Sequence, residues 1–182
     1  MNVQFSSKNV ILVGRTNNMK TLYIHGLDSS PKPDKMAAIR KHGPADGLHI
    51  DYRADNTAFY KLDEYINKHS ITHIVGSSMG GFLGFWLAEK HQLPCLLFNP
   101  AVAERSVSME YQQQLNGCPR RIVVLGAKDD VVNPQQTAEF LTDLDTTATH
   151  QRVVWCNNLA HQIDTTTFTE FVDYFFDQQK NQ

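Results

Sequence analysis

The stretch VGSSMGGFLGFWLAEK, residues 75–90, places two adjacent serines between glycines, after an apolar run and before a helical pattern. A nucleophilic serine must project from a sharp turn between a strand and a helix, where the residues two before and two after it come into close contact. Glycine is favoured at both positions, and Gly76 and Gly80 satisfy this pattern around Ser78. We therefore interpret Ser78 as a candidate nucleophile and expect Ser77 to point elsewhere.

The same glycines have a second interpretation. A glycine-rich helix start can simply pack tightly against its neighbours or bind an anion. The motif lies between an apolar strand pattern and an amphipathic helix. This position favours the interpretation of Ser78 as a nucleophile, because the mechanism requires a turn between a strand and a helix. The helix that follows would also direct its positive end and its free N–H groups at developing negative charge.

A serine hydroxyl is a weak nucleophile at neutral pH, so it needs a nearby base and a third group that orients the base. These partners are expected later in the chain, in the order Asp, His. Asp129 directly follows an apolar run, whereas Asp130 begins the turn into the next helix, so we prefer Asp129. The alternative for this pair is an ordinary acidic loop that caps the helix. His161 is the one histidine of eight that follows the last predicted strand.

Two backbone N–H groups must face the oxyanion that forms when a serine attacks a carbonyl. The residue after the nucleophile, Met79, supplies one of them. We expect the other from Leu27, in the sequence HGLDSS after the first predicted strand, where Gly26 lets the backbone approach closely. His25 in this motif is interpreted as structural rather than catalytic.

The composition restricts the class of protein. A chain of 182 residues with 41% apolar and 20% charged residues predicts one soluble domain, and a net charge of −2 argues against binding to nucleic acid or anionic lipid. No apolar run approaches the roughly 20 residues of a membrane helix. The three cysteines show no CxxC spacing, so we expect neither a disulfide framework nor a zinc site, and a cytoplasmic location.

Short apolar runs alternate with helical patterns, which predicts an α/β fold with a doubly wound, mostly parallel sheet of about six strands and helices on both faces. Residues 1–18 are interpreted as an N-terminal extension of uncertain structure, and residues 19–182 as a single domain. The predicted strands cover 21–25, 48–52, 73–76, 94–98, 121–126 and 151–156, and the predicted helices cover 33–42, 57–69, 79–91, 134–144 and 165–178. Ligands bind beyond the carboxyl ends of such strands, where all the candidate residues lie.

Four ordered motifs resemble a known family. With the late His161, the segments GLDSSPKPDK, VGSSMGGFLGFWL, LPCLLFNPAV and KDDVVNPQQTAE are similar to the small bacterial α/β-hydrolase esterases of the YqiA/YcfP type, from about Met19 onward. The resemblance implies the α/β-hydrolase fold with little or no cap. It places the nucleophile on Ser78, the acid on Asp129 and the base on His161. It further implies hydrolysis of a small-molecule ester or thioester of modest acyl length, without a metal or organic cofactor.

Two other functions remain open on the sequence alone. The chain could be a non-catalytic binding protein on the same scaffold, because a fold does not fix a function. It could also be an amide-cleaving or acyl-transferring serine enzyme, which would use every residue named above. Four large side chains are expected either to line an acyl pocket or to form plain core or surface cover, namely Phe82, Phe98, Met109 and Tyr111.

Overall fold

The structure is a computed structural model, which describes residues 19–144 and 150–180. The segment predicted as an N-terminal extension, 1–18, lies outside these residues. The described part contains six strands and five helices, which alternate except that β5 follows β4 without a helix between them: β1 Thr21–Ile24, α1 Pro33–Arg40, β2 Ala45–Gly47, α2 Ala58–His69, β3 His73–Ser77, α3 Met79–His91, β4 Cys95–Phe98, β5 Arg121–Gly126, α4 Pro134–Asp143, β6 Gln151–Cys156 and α5 Thr165–Lys180.

The six strands form one sheet in the order β2-β1-β3-β4-β5-β6. Every neighbouring pair is parallel, so the carboxyl ends of the strands meet at one edge of the sheet. The four residues of β4 and the six of β5 are all buried, as expected for parallel strands that are covered on both faces. Among the described strands, β6 is the edge strand beside β5 and pairs with no other strand.

Helices cover both faces of the sheet, which confirms the predicted architecture. On one face, α2, α3 and α4 pack against the strands through side chains that include Phe59, Leu62, Phe85 and Leu141. On the other face, α1 and α5 contribute side chains that include Met36, Ile39, Phe168 and Phe175. None of the described helices combines the length and the apolar character that a membrane span requires.

One predicted strand is displaced. The strand beside β1 is Ala45–Gly47, not 48–52, with Thr21 in register with Ala45. The chain at 48–52 is irregular, although Tyr52 is only 2% exposed. Its hydroxyl donates a hydrogen bond to the carbonyl oxygen of His25, 2.5 Å away. The apolar alternation therefore predicted burial correctly, but these side chains cover the core from a loop.

Two predicted helix starts are present. The side chain of Asn133 accepts hydrogen bonds from the backbone nitrogens of Gln135 and Gln136 at the start of α4. The Asp164 carboxylate accepts one from the backbone nitrogen of Thr167 at the start of α5. Each cap satisfies N–H groups that have no partner inside the helix.

Candidate active site

Ser78 lies at the turn between β3 and α3 with φ 52° and ψ −118°. This is an unfavourable backbone conformation for a residue with a side chain. Three hydrogen bonds hold it: the Ser78 nitrogen donates to the Phe98 carbonyl at 2.9 Å, and the Ser78 carbonyl accepts from the nitrogens of Phe82 and Ala101 at 3.0 and 3.1 Å. The neighbouring strand and the first turn of α3 thus fix the direction of the side chain, which lines the cavities described below.

The glycines on either side leave room for this turn. A Cβ atom on Gly80 would lie 2.1 Å from the carbonyl oxygen of Ile24, and one on Gly76 would lie 2.5 Å from the carbonyl oxygen of Gly80. Carbon and oxygen atoms cannot approach so closely, so α3 can cross β3 and β1 only where both residues lack a side chain. The pattern read from the sequence corresponds to this steric requirement.

His161 and Asp129 are joined by their side chains. The Nδ1 atom of His161 lies 3.0 Å from Oδ1 and 2.9 Å from Oδ2 of Asp129. Oδ1 also accepts hydrogen bonds from the backbone nitrogens of Val131 and Val132, both at 2.9 Å. A carboxylate can only accept here, so the neutral imidazole carries its proton on Nδ1 and leaves Nε2 as an acceptor. Asp129, the acid preferred from the sequence, is therefore the one that contacts the imidazole. Its side chain is only 8% exposed, whereas Asp130 is exposed to solvent.

Asn99 is a positioning residue to which the sequence analysis gave no role. It directly follows β4 with φ 42°, a conformation that asparagine tolerates better than most residues, and its side chain is buried. Its Oδ1 accepts a hydrogen bond from the Gly126 nitrogen at 2.7 Å, and its amide donates to the carbonyls of Ala160 and His161. In the sequence, the pair Asn99-Pro100 directly follows the fourth predicted strand, 94–98, and so lies at the carboxyl edge of the sheet, where ligands bind.

The loop after β1 lies directly against the nucleophile turn. A Cβ atom on Gly26 would lie 3.2 Å from the Cβ of Ser78. Leu27 and Met79 line the same cavity as Ser78, and within the described residues neither backbone nitrogen donates a hydrogen bond to the protein. The two N–H groups are thus available to a ligand oxygen at the position where the sequence predicts an oxyanion hole.

His25 supports this loop. Its Nδ1 lies 2.7 Å from the carbonyl oxygen of Gly26, and its Nε2 accepts a hydrogen bond from the Ile50 nitrogen at 3.0 Å. Burial lowers the pKa of His25, mainly because the charged ring would lose its hydration. A neutral ring with its proton on Nδ1 satisfies both contacts, so His25 ties the loop after β1 to the chain at 48–52.

Two cavities meet at the carboxyl edge of the sheet. The first has a volume of about 720 Å³ and lies between Ser78, residues 103–106 and the start of α4. The second has a volume of about 560 Å³ and lies between Ser78, residues 26–35 and residues 161–163. Ser78 and His161 line both cavities, although no hydrogen bond joins their side chains in the described part of the chain.

The large side chains considered for an acyl pocket do not line either cavity. Phe82 and Phe98 are fully buried, and Met109 is 6% exposed. Phe98 stacks on Phe168 across one face of the sheet, and Phe82 contacts Tyr111 edge to face. These residues form core, which is the plainer of the two interpretations left open by the sequence.

One known protein family matches this chain. The model of the uncharacterised protein family UPF0227 matches residues 20–117, which is more than half of the chain. The chain belongs to this family. The UPF0227 match confirms the resemblance that the sequence motifs indicated, and it spans β1 to the segment after β4, including Leu27, Ser78 and Met79. Asp129 and His161 lie beyond it.

Solved structures show how widely the UPF0227 fold is shared. Alpha/beta hydrolase domain-containing protein 10 from mouse is 13% identical with a TM-score of 0.70, covering 100% of this chain and 99% of that one. Est1E from Butyrivibrio proteoclasticus, with ferulic acid bound, is 13% identical with a TM-score of 0.67 and 90% coverage of both chains. The monoacylglycerol lipase of Paleococcus ferrophilus is 11% identical with a TM-score of 0.62, covering 87% of this chain and 94% of that one. The chain therefore has the α/β-hydrolase fold.

Proposed function

We propose that this protein is a serine hydrolase that cleaves small esters or thioesters through an acyl-enzyme. One observation carries the proposal: the hydrogen-bonded Asp129–His161 pair and the strained Ser78 turn line the same cavity. A buried carboxylate that fixes an imidazole beside a serine at a strand-to-helix turn is the arrangement that activates a hydroxyl for acyl transfer. The structural neighbours that are named as a lipase and as Est1E with ferulic acid bound support this class of reaction.

In the first half-reaction, the Ser78 oxygen attacks the substrate carbonyl carbon while its proton passes to Nε2 of His161. The negative charge of the carbonyl oxygen is held by the N–H groups of Leu27 and Met79. Asp129 keeps the imidazole oriented and stabilises it when it becomes positively charged. The imidazolium then gives its proton to the departing alcohol or thiol, and the acyl group remains on Ser78.

In the second half-reaction, a water molecule takes the position of the leaving group. His161 accepts a proton from this water as its oxygen attacks the acyl carbon. The same two N–H groups hold the second oxyanion, and the proton returns to the Ser78 oxygen as the carboxylic acid is released. We expect the hydrogen bond between Ser78 and His161 to form when substrate is bound, because such contacts commonly tighten in the complex.

The experiment that tests this proposal is labelling with a fluorophosphonate, a probe that forms a covalent bond with the activated serine of a serine hydrolase. We expect the wild-type protein to be labelled and to hydrolyse p-nitrophenyl acetate and short-chain thioesters. The variant Ser78→Ala should lose both properties. Ser77→Ala is the matched control, because Ser77 is the adjacent residue and its hydroxyl faces the Tyr23 hydroxyl 3.5 Å away.

The outcomes separate the competing functions. Labelling of Ser77→Ala but not of Ser78→Ala, together with ester or thioester turnover, supports the proposal. An unlabelled wild-type protein without turnover would favour a binding protein on a hydrolase scaffold. Labelling with turnover confined to peptide or amide substrates would assign the same serine to amide cleavage.

A further inference from the structure

The second cavity, between residues 26–35 and 161–163, differs in charge from the first. Lys32 and Lys35 line it, and Asp28 is the one acidic residue among the described residues of its lining. Asp28 is already engaged by Arg53, whose Nε and Nη2 lie 2.9 and 2.7 Å from its two carboxylate oxygens. The second cavity is therefore lined by two lysines and by one carboxylate that is already paired.

The first cavity has the opposite balance. Besides Asp28, three carboxylates line it, from Glu104, Asp129 and Asp130, against the single guanidinium of Arg105. That guanidinium lies 4.2 Å from the centre of the Phe82 ring, where it is held by stacking. An anionic group entering the site from solvent is thus repelled by the first cavity and attracted by the second.

The two lysines lie where helix stability disfavours them. Lys32 is the N-cap of α1 and Lys35 lies in its first turn, at the positive end of the helix dipole. The Lys35 ammonium lies 5.1 Å from the centre of the buried Phe168 ring. Burial and the charge of Lys32 lower the pKa of Lys35, which the carboxylates of Asp34 and Asp164 only partly offset.

The carboxylates of Asp34 and Asp164 both accept hydrogen bonds from uncharged groups. Asp34 accepts hydrogen bonds from the Lys35 backbone nitrogen and the Thr165 hydroxyl. Asp164 accepts both the nitrogen and the hydroxyl of Thr167. Within the described residues, no ion pair within 4.0 Å neutralises either ammonium group of the cavity. Neither lysine thus has a direct ionic partner, at an end of the helix where positive charge is unfavourable, and an anionic ligand would supply one.

We propose that Lys32 and Lys35 bind a phosphate or carboxylate group of the substrate in the second cavity, and so select anionic esters or thioesters. The inference rests on the proposed function, since Ser78 and His161 line the same cavity and would act on the ester bond of the bound molecule. Hydroxyl groups of Ser29 and Ser30 in its wall offer further donors to anionic oxygens.

The test uses two pairs of esters, each made of an anion and its neutral methyl ester, and compares the ratio of the two rates between the wild-type protein and the variants. The first pair, p-nitrophenyl hydrogen glutarate and its methyl ester, carries the charge on the acyl side. The second pair, p-acetoxybenzoate and its methyl ester, carries it on the leaving group. Release of the phenol is followed for each, corrected for the spontaneous rate. We expect the wild-type protein to favour the anion in one pair by roughly 10-fold in kcat/KM, mainly through KM, and that pair identifies the side that carries the charge.

The variants decide whether the lysines cause the preference. The double variant Lys32→Gln, Lys35→Gln should lose it while hydrolysing the methyl esters as the wild type does. Lys35→Met preserves the packing on Phe168 and should lose part of the preference, and thermal melting checks that each variant is folded. Lys41→Gln is the matched control, because it removes the same charge from the opposite end of α1.

Two results would overturn the inference while leaving the proposed function intact: Ser78-dependent turnover of the methyl esters without a preference for either anion, or a preference that survives in the double variant. Absence of Ser78-dependent turnover with every ester would instead remove the proposed function, and this inference with it.

Discussion

The side-chain amide of Asn99 donates a hydrogen bond to the carbonyl oxygen of Ala160, 3.0 Å away, and reaches the carbonyl of His161 at 3.3 Å. One buried residue at the end of β4 thereby fixes the loop that carries the candidate base. Because its Oδ1 also holds the Gly126 nitrogen, the same side chain ties this loop to the end of β5, three residues before Asp129.

Replacing this amide by a carboxylate should misplace the imidazole. In Asn99→Asp the Gly126 contact persists, but a carboxylate oxygen would face the carbonyls of Ala160 and His161 and repel both. We expect kcat/KM to fall by about 100-fold, the effect of shifting a catalytic group by about an ångström. The measurement is ester turnover, with Asn116→Asp as control, since the Asn116 amide donates to a backbone carbonyl far from the site. Equal activity of the two variants would contradict the role of Asn99.

The Asp129→Asn variant tests how the imidazole is oriented. An asparagine still accepts from the nitrogens of Val131 and Val132 through Oδ1, so the loop should keep its shape. Its amide nitrogen would face Nδ1 of His161 and drive the ring proton to Nε2, where the base must be free. We expect kcat to fall by about 10⁴-fold with little change in melting temperature. The matched variant Asp130→Asn should retain wild-type turnover, and a comparable loss in both would refute the assignment.

The Gly80→Ala variant tests the steric basis of the turn. The added methyl group would lie 2.1 Å from the Ile24 carbonyl oxygen, which is backbone and cannot turn aside. We expect a loss of about 3 kcal/mol or more in the free energy of unfolding, measured by urea denaturation. Gly84→Ala, in the same helix, would meet only side-chain atoms of Ile74 and Leu97 at 3.1 and 3.2 Å, and should change stability by about 1 kcal/mol or less. Equal stabilities would show that the crossing of α3 is not tight.

Acid should weaken the fold through His25. Burial lowers its pKa below the ordinary value of 6.5, so protonation favours the unfolded chain. The stability that its neutral form contributes is complete above pH 6.5 and is lost as the pH falls through the folded-state pKa. We expect the melting temperature of the wild type to fall more steeply from about pH 7.5 to 5 than that of His25→Asn. His150→Gln, an exposed control, should follow the wild type. A His25→Asn profile parallel to the wild type would exclude this linkage.

The extent of sequence-based prediction can be judged from β2. The residues of 48–52 are apolar in alternation and predicted a strand, whereas the strand is the three-residue segment Ala45–Gly47. An edge strand needs only backbone partners, so its sequence carries little signal, and Thr21 supplies the register. The central strands were predictable because burial on both faces demands continuous apolar residues.

The candidate site also contains residues that could be predicted from the sequence and contacts that could not. Ser78, Gly76 and Gly80 obey a local steric rule, so their placement at the turn could be read from spacing alone. The hydrogen bonds of Asn99 could not, because they join segments about 60 residues apart along the chain. The charge contrast between the two cavities was also hidden, since it depends on which lysines and carboxylates face each volume.

The position of β6 as an edge strand predicts how the protein loses activity on heating. Edge strands open more readily than central ones; within the part of the chain that the structure describes, β6 pairs only with β5, and Trp155 is 43% exposed. Ser78, in contrast, stands beside strands that are enclosed on both sides. Gentle warming should therefore displace the loop that carries His161 while most of the molecule is still folded, so that ester turnover is lost at a lower temperature than the fold.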